Sequence, residues 1–336
     1  IQRISSPSFA ARLLTTSTHL PPISPRKSSL TAAPLVALKL SSVNGLWLDK
    51  SFSVYPSIKK VLETAYRATI HLTDFQNKLE EEVTNEVNSW IEKQTSGLIK
   101  EVLPVGGLVP DLTRRLIFVN ALYFKGAWNE KFDLSCTKDA EFHLLSGSCS
   151  QVPFMTSKKK QTVSAFDGFK VLELPCKQGS SDKRRFSMYF FLPDETKGLP
   201  SLVKKVCSEP GFLDHHLPRQ KVEVRNFRIP RFKISFGFEA VQVLEELGMF
   251  FPESLGLAVS CTQPHENLYV SKLFNRSFIE VNEEGSEAAA ASTVLVNVKG
   301  PKKIDFVADH PFLFIIRENM SGMILFIGQV LNPSTI

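Results

Sequence analysis

The residues with the best claim to chemistry are few and scattered. Cys261 and His265 share the segment CTQPH, which brings a thiol near an imidazole; Pro264 stands between them, and no third group is placed to orient a base. Asp309 and His310 adjoin in ADHPF, where flanking Val307 and Phe312 point to a strand-edge histidine rather than a general base. His215 and His216 lie in polar FLDHHLPR and read as surface residues. No GxSxG, GxGxxG, P-loop or HExxH pattern occurs. The five cysteines (Cys136, Cys149, Cys176, Cys207 and Cys261) are odd in number, and none is in a CxxC pair. They predict reduced thiols and neither a disulfide framework nor a zinc site. The seven histidines show no metal-ligand spacing, so no metal and no cofactor is expected.

The elements needed to position any site are clearer. A chain of 336 residues with 26 phenylalanines and 43% hydrophobic content can bury a large core. LVALKLSSVNGLWLDK (35–50) predicts a strand ending near Gly45 to Asp49, and PSIKKVLETAY (56–66) a helix opened by Pro56. NKLEEEVTNEVNSWIEKQTSG (77–97) predicts a helix, with Leu79, Val83, Val87, Trp90, Ile91 and Gln94 on one face and Gly97 as its C-terminal cap. RRLIFVNALYFKGAW (114–128) reads as a long buried strand. Further strand runs are QTVSAFDGFKVLEL, RRFSMYFFLP, KVEVRNFRIPRFKISF and LYVSKLFNRSFIEV (268–281), with a short helix expected at 238–248. PFLFIIRENMSGMILFIGQVL is apolar but interrupted by Arg317, Glu318 and Asn319, and therefore reads as a hairpin rather than a membrane span. Helices interspersed with mostly antiparallel strands make an α+β fold.

The net charge of +6 does not indicate nucleic acid. Arg3, Arg12, Arg26, Lys27 and Lys39 precede the first acid, Asp49, and the rest of the chain is nearly balanced. The basic runs SKKKQ (157–161) and SDKRRF (181–186) are short and read as solvated turns. Residues 1–34 are rich in Ser, Thr and Pro and lack acids, a transit-like or disordered leader set apart from a domain over 35–336.

One stretch contradicts itself. In VNEEGSEAAAASTVLVNVKGPKK (281–303), Ser286, Glu287 and four alanines favour a capped helix, whereas TVLVNV alternates like a strand. If it is extended, Ser286, Ala288, Ala290 and Ser292 share one face, and Glu287, Ala289, Ala291 and Thr293 the other.

FIEVNEEGSEAAAAS followed by DFVADHPFLFIIRENMSGMILFIGQV resembles the serpins, plant serpins in particular. NALYFKGAW (120–128), VPFMTSKKKQ (152–161), FSMYFFLPD (186–194) and IPRFKISF (229–236) agree in the same order. The resemblance runs from about Leu40 to Pro333. It implies a large central, mostly antiparallel sheet, further sheets, surrounding helices and an exposed reactive-centre loop that a target protease attacks as substrate. After the cut, the loop's N-terminal part enters the main sheet as a new strand, between the strand near 114–124 and the one near 268–281. The hinge would comprise Glu283, Glu284, Gly285, Ser286, Glu287, Ala288, Ala289, Ala290, Ala291 and Ser292. Small side chains suit that passage, and Gly285 gives backbone freedom. The family's spacing from Glu283 places the cleaved bond at Lys299–Gly300, and a lysine there suits a trypsin-like pocket.

The resemblance also assigns Asn120 to the "shutter" beneath the central sheet and Trp128 to the "breach" where insertion begins. Asn275 stands where most relatives carry His, so an altered network is expected. The helices and strand that relatives carry before LKLSSVNGLWLDK are replaced by the leader, which implies an N-terminally truncated domain. The expected function is irreversible inhibition of trypsin-like serine proteases, with cysteine proteases as further targets, by a monomer without membrane or nucleic-acid partners. The alternative is a non-inhibitory or decayed relative acting as substrate or binder. The expected compartment is the extracellular space (apoplast) or cytoplasm, or the plastid if the leader is a transit peptide.

Overall fold

The computed structural model describes residues 39–104, 106, 116–125, 127–178, 184–248, 259–261, 272–284 and 304–334. The leader therefore lies outside the described residues. From Leu40 onward the chain falls into two compact units: Leu40–Phe124 with Ser235–Phe278, and Lys125–Ile234 with Ile279–Ile336.

In chain order the elements are β1 (Lys39–Asp49), β2 (Phe52–Val54), α1 (Pro56–Thr64), β3 (Ala68–Thr73), α2 (Glu80–Gln94), β4 (Leu116–Lys125), β5 (Lys138–His143), β6 (Cys149–Met155), β7 (Gln161–Phe166), β8 (Phe169–Pro175) and β9 (Phe186–Pro193). They continue with α3 (Leu199–Ser208), α4 (Phe212–His215), β10 (Lys221–Val222), β11 (Val224–Pro230), β12 (Phe232–Glu239), α5 (Val241–Glu246), β13 (Val259–Cys261), β14 (Lys272–Val281), β15 (Ile304–Val307), β16 (Phe312–Glu318) and β17 (Ile324–Val330).

The first unit is built on a five-stranded sheet of order β12-β14-β4-β1-β3, with β1 and β3 parallel. α2 lays Val83, Val87 and Ile91 onto Trp47, Ile117, Val119 and Phe274. The 3.6-residue period of that helix was legible at Val83, Val87, Trp90 and Ile91 but not at its two ends: Gln94 is exposed, and so is Leu79, whose N–H the Glu82 carboxylate accepts. The helix ends at Gln94 with Thr95 as its C-terminal cap, two residues before the expected Gly97; Gly97 lies just beyond, with φ 79° and its N–H on the Glu92 carbonyl.

The second unit holds a six-stranded sheet, β10-β7-β8-β9-β16-β17, and a four-stranded sheet, β15-β11-β6-β5. Every residue of β9 is buried, and its neighbour β16 is buried save Arg317. Both are therefore near-continuous apolar runs rather than alternating ones. α3 covers one face with Leu199 and Leu202 against Phe169, Phe191 and Leu313.

Two sequence expectations need correction. QTVSAFDGFKVLEL is a tight hairpin, β7–β8, turning at Asp167–Gly168 with φ 81° at the glycine. KVEVRNFRIPRFKISF is not one strand: β11 and β12 belong to different sheets and are separated by Arg231. Among the described residues, no helix is long and apolar enough to cross a membrane.

The polar interruption of the C-terminal hairpin is structural. Buried Glu318 accepts from the backbone N–H groups of Arg185, Met320 and Ser321 and from the Ser321 hydroxyl, at 2.6–3.2 Å. Burial pushes its carboxyl up, but the bonds from Ser321, Arg185 and Met320 outweigh it and hold the group below the usual glutamate value. Its folded pKa is depressed, so this stabilisation is complete above the unfolded value of about 4.3 and is lost as pH falls through the lower folded value. Glu318→Gln is expected to lower stability by about 1–3 kcal/mol at pH 7 and to flatten the acid limb of a pH–stability curve measured by urea unfolding.

Candidate functional site

β14 runs directly into Asn282, Glu283 and Glu284, the last described residues before 285. Three consecutive carbonyls there are bound by one segment. The Trp128 indole Nε1–H donates to Asn282 O at 2.6 Å, the Phe132 N–H to Glu283 O at 3.2 Å, and the Trp128 N–H to Glu284 O at 3.0 Å. The donor segment is itself fixed: Trp128 bridges to Cys176, the Asn129 N–H reaches Pro175 O, and the Lys177 N–H reaches Ala127 O. Trp128 is 1% exposed, so the indole fills core volume as well as donating a bond.

The side chains add a charged frame. Glu283, nearly buried, accepts from the Thr137 hydroxyl at 2.8 Å and pairs with Arg231 Nε at 3.4 Å. Lys125 lies 3.0 Å from the Glu284 carboxylate and 3.9 Å from Glu280, which also meets Lys233 at 3.3 Å. The outer pairs are partly solvated, worth about 0–1 kcal/mol each. The Glu283 contacts matter more, because breaking them leaves a carboxylate without water or a partner. Thus the strand end is held through its backbone and through its acids, while nothing in the frame is arranged to cleave a bond.

In the first unit a chain of amides crosses three neighbouring strands. Asn275 on β14 donates through Nδ2 to Asn120 Oδ1 on β4 at 2.7 Å; Asn120 donates to Asn44 Oδ1 on β1 at 2.6 Å; Asn44 donates to Tyr66 O at 2.7 Å. Asn120 accepts and donates at once, so replacing it strands a group on each side. Asn120→Ala is expected to cost about 1–3 kcal/mol, read as a lower urea midpoint with an unchanged m-value. Asn275, expected to alter this network, is joined to it as a donor to Asn120.

A sequence model described as Serpin (serine protease inhibitor) matches residues 26–333. The chain belongs to the serpin family. It is 56% identical over 303 residues to Serpin-ZX of Arabidopsis thaliana, covering 88% of this chain and 76% of that protein. It is 51% identical over 299 residues to Serpin-ZXA of Oryza sativa subsp. japonica, covering 88% and 74%. Among solved structures it resembles Arabidopsis AtSerpin1, described as the native stressed conformation, with TM-score 0.80, 55% identity, and 89% and 77% of the two chains covered. The α+β serpin fold follows, as does the class: a serine protease inhibitor of the plant serpin type, not an enzyme.

Of the residues expected to act in this serpin, Glu283 and Glu284 lie in the frame around Trp128, and Asn120 and Asn275 in the amide chain. Gly285, Ser286, Glu287, Ala288, Ala289, Ala290, Ala291, Ser292, Lys299 and Gly300 lie outside the described residues. Sequence reading missed Lys125, Phe132, Thr137, Arg231 and Asn282; Lys125, Arg231 and Asn282 lie in motifs already singled out, but no local pattern marks the individual residue as a partner. The candidate centres dissolve on inspection. Cys261 lies in β13, paired in register with Phe52, and His265 is outside the described residues. His310 is buried just ahead of β16, its ring bonded to the Asp309 carboxylate and Pro193 O, each at 2.8 Å. His215 is exposed as expected, whereas His216 is half-buried: it packs on Phe166, Phe169 and Phe212 and bonds to Phe212 O.

Proposed function

We propose that this serpin is a suicide inhibitor of trypsin-like serine proteases, and of cysteine proteases that accept a basic residue, acting as a monomer. The protease cuts Lys299–Gly300, and the hinge, Glu283 through Ser292, pivots on Glu283 and Glu284 so that the chain from Gly285 onward enters between β4 and β14. The observation that carries the reading is the binding of three consecutive carbonyls, at Asn282, Glu283 and Glu284, immediately before a run of small residues. A fixed root gives the loop a defined pivot, so that insertion begins at one end and proceeds as a zipper. In the five-stranded sheet β4 and β14 are neighbours, which is the arrangement a chain with its loop still uninserted requires. Once the strand enters, an acylated protease is carried along with it and distorted before water can release it.

The second reading is a non-inhibitory serpin that is merely a substrate or binder. Incubation with trypsin separates the two. The inhibitor gives a covalent complex that survives denaturing electrophoresis, and Lys299→Glu removes it by about a hundredfold or more, since the acidic pocket floor then meets a like charge. A clipped chain without complex would establish the substrate reading.

A further inference from the structure

Sequence spacing gave no metal site, yet the β5–β6 hairpin assembles one from residues that are not adjacent. Glu141 and His143 alternate on β5, so both project from the same face. Cys149, the first residue of β6, stands opposite His143 in the ladder. His143 Nδ1 lies 3.1 Å from Cys149 Sγ, and one donor atom from each of the three residues falls within 4.8 Å of the others.

The backbone around them is well held. The Leu144 N–H meets Ser148 O at 2.8 Å, the Gly147 N–H meets Leu144 O at 3.0 Å, and the His143 N–H meets Asp309 O at 2.7 Å. Gly147 closes the turn at φ 91°. Glu141 and Cys149 are exposed and His143 half-buried, so an ion could enter and keep a water.

We propose that Glu141, His143 and Cys149 bind a divalent transition metal, Zn²⁺ being the best match to a mixed thiolate, imidazole and carboxylate set. Tetrahedral Zn²⁺, with bonds of about 2.3 Å to sulfur and 2.0–2.1 Å to nitrogen, needs sulfur and nitrogen about 3.6 Å apart. The present separation is a few tenths of an ångström short, within reach of small rotations of exposed side chains. The fourth position is left to water. The bound ion would tie β5, the edge strand of its sheet, to β6 at the mouth of their turn. The competing account is a plain hydrogen bond between thiol and imidazole, in which Glu141 plays no part.

Metal-stripped full-length protein titrated with Co²⁺ alone separates these. Binding predicts one equivalent, with a near-ultraviolet thiolate-to-metal band and the visible bands of a tetrahedral ion, both displaced by Zn²⁺. Cys149→Ser removes the thiolate band, whereas Cys136→Ser, at another exposed thiol, leaves it. His143→Ala and Glu141→Ala each weaken binding by about tenfold to a hundredfold, as read in competition with a chelator of known affinity. All three ligand positions lie on the hairpin surface, and circular dichroism checks that each variant folds. No band in the wild-type protein at a hundredfold excess of Co²⁺ over protein overturns the site. So does a band that survives Cys149→Ser, or an affinity indifferent to Glu141.

Discussion

Cut at Lys299–Gly300, the chain is expected to melt roughly 15 °C or more above its uncut form. Residues 285–298 extend to roughly 45 Å as a strand, at about 3.3 Å per residue. Ten or so new ladder hydrogen bonds at about 1 kcal/mol each, with apolar burial added, match or exceed the roughly 5–15 kcal/mol that holds an ordinary domain together. At the entropy of unfolding typical for a chain of 336 residues, about 10 kcal/mol corresponds to the shift given. The uncut protein is then a kinetically trapped state, and melting should be compared at one scan rate because it is governed partly by the unfolding barrier. Lys299→Glu, which trypsin no longer cuts at that bond, should melt with the uncut protein before and after treatment. Equal melting temperatures for cut and uncut wild-type chains would falsify the insertion mechanism, whatever the protease.

The second large effect is expected at Trp128. Truncation to alanine removes a fully buried indole and should lower stability by about 3–5 kcal/mol. Trp128→Phe keeps most of the volume but strands the Asn282 carbonyl, and about 1–3 kcal/mol should be lost. Both losses are measurable as urea midpoints of the uncut chain. If Trp128 matters only as filler, phenylalanine should restore nearly everything; a clear deficit identifies the bond to Asn282 as the part that secures the loop's root. The yield of trypsin complex should fall in the same order, from wild type through phenylalanine to alanine.

Much of the architecture was legible because it is carried by local pattern. The central period of α2 and the strand expected over 35–50, realised as β1, each depend on near neighbours in sequence. β9 and β16 were visible as strands from their near-continuous apolar runs. The failures have a common cause, which is that a strand signature does not say which sheet it joins. The segment 221–236 looks continuous, and only pairing partners reveal that Arg231 separates two sheets. The same holds for sites. Asn120 and Trp128 were found through resemblance, whereas Arg231, Thr137 and Lys125 become partners of Glu283 and Glu284 only by long-range folding. Glu141, His143 and Cys149 escaped because their grouping depends on the register of β5 against β6, which composition and spacing do not encode.

The amide chain on β14, β4 and β1 has a direction, and this bears on what its separation would expose. Parting β14 from β4 breaks one link, leaving an NH₂ on Asn275 and an oxygen on Asn120, while the links from Asn120 to Asn44 and from Asn44 to Tyr66 survive. A newcomer's peptide unit carries one group of each complementary kind, a carbonyl for the first and an N–H for the second. The seam would therefore present a vacancy with opposite polarities on its two lips, ready for main chain of any sequence small enough to pass.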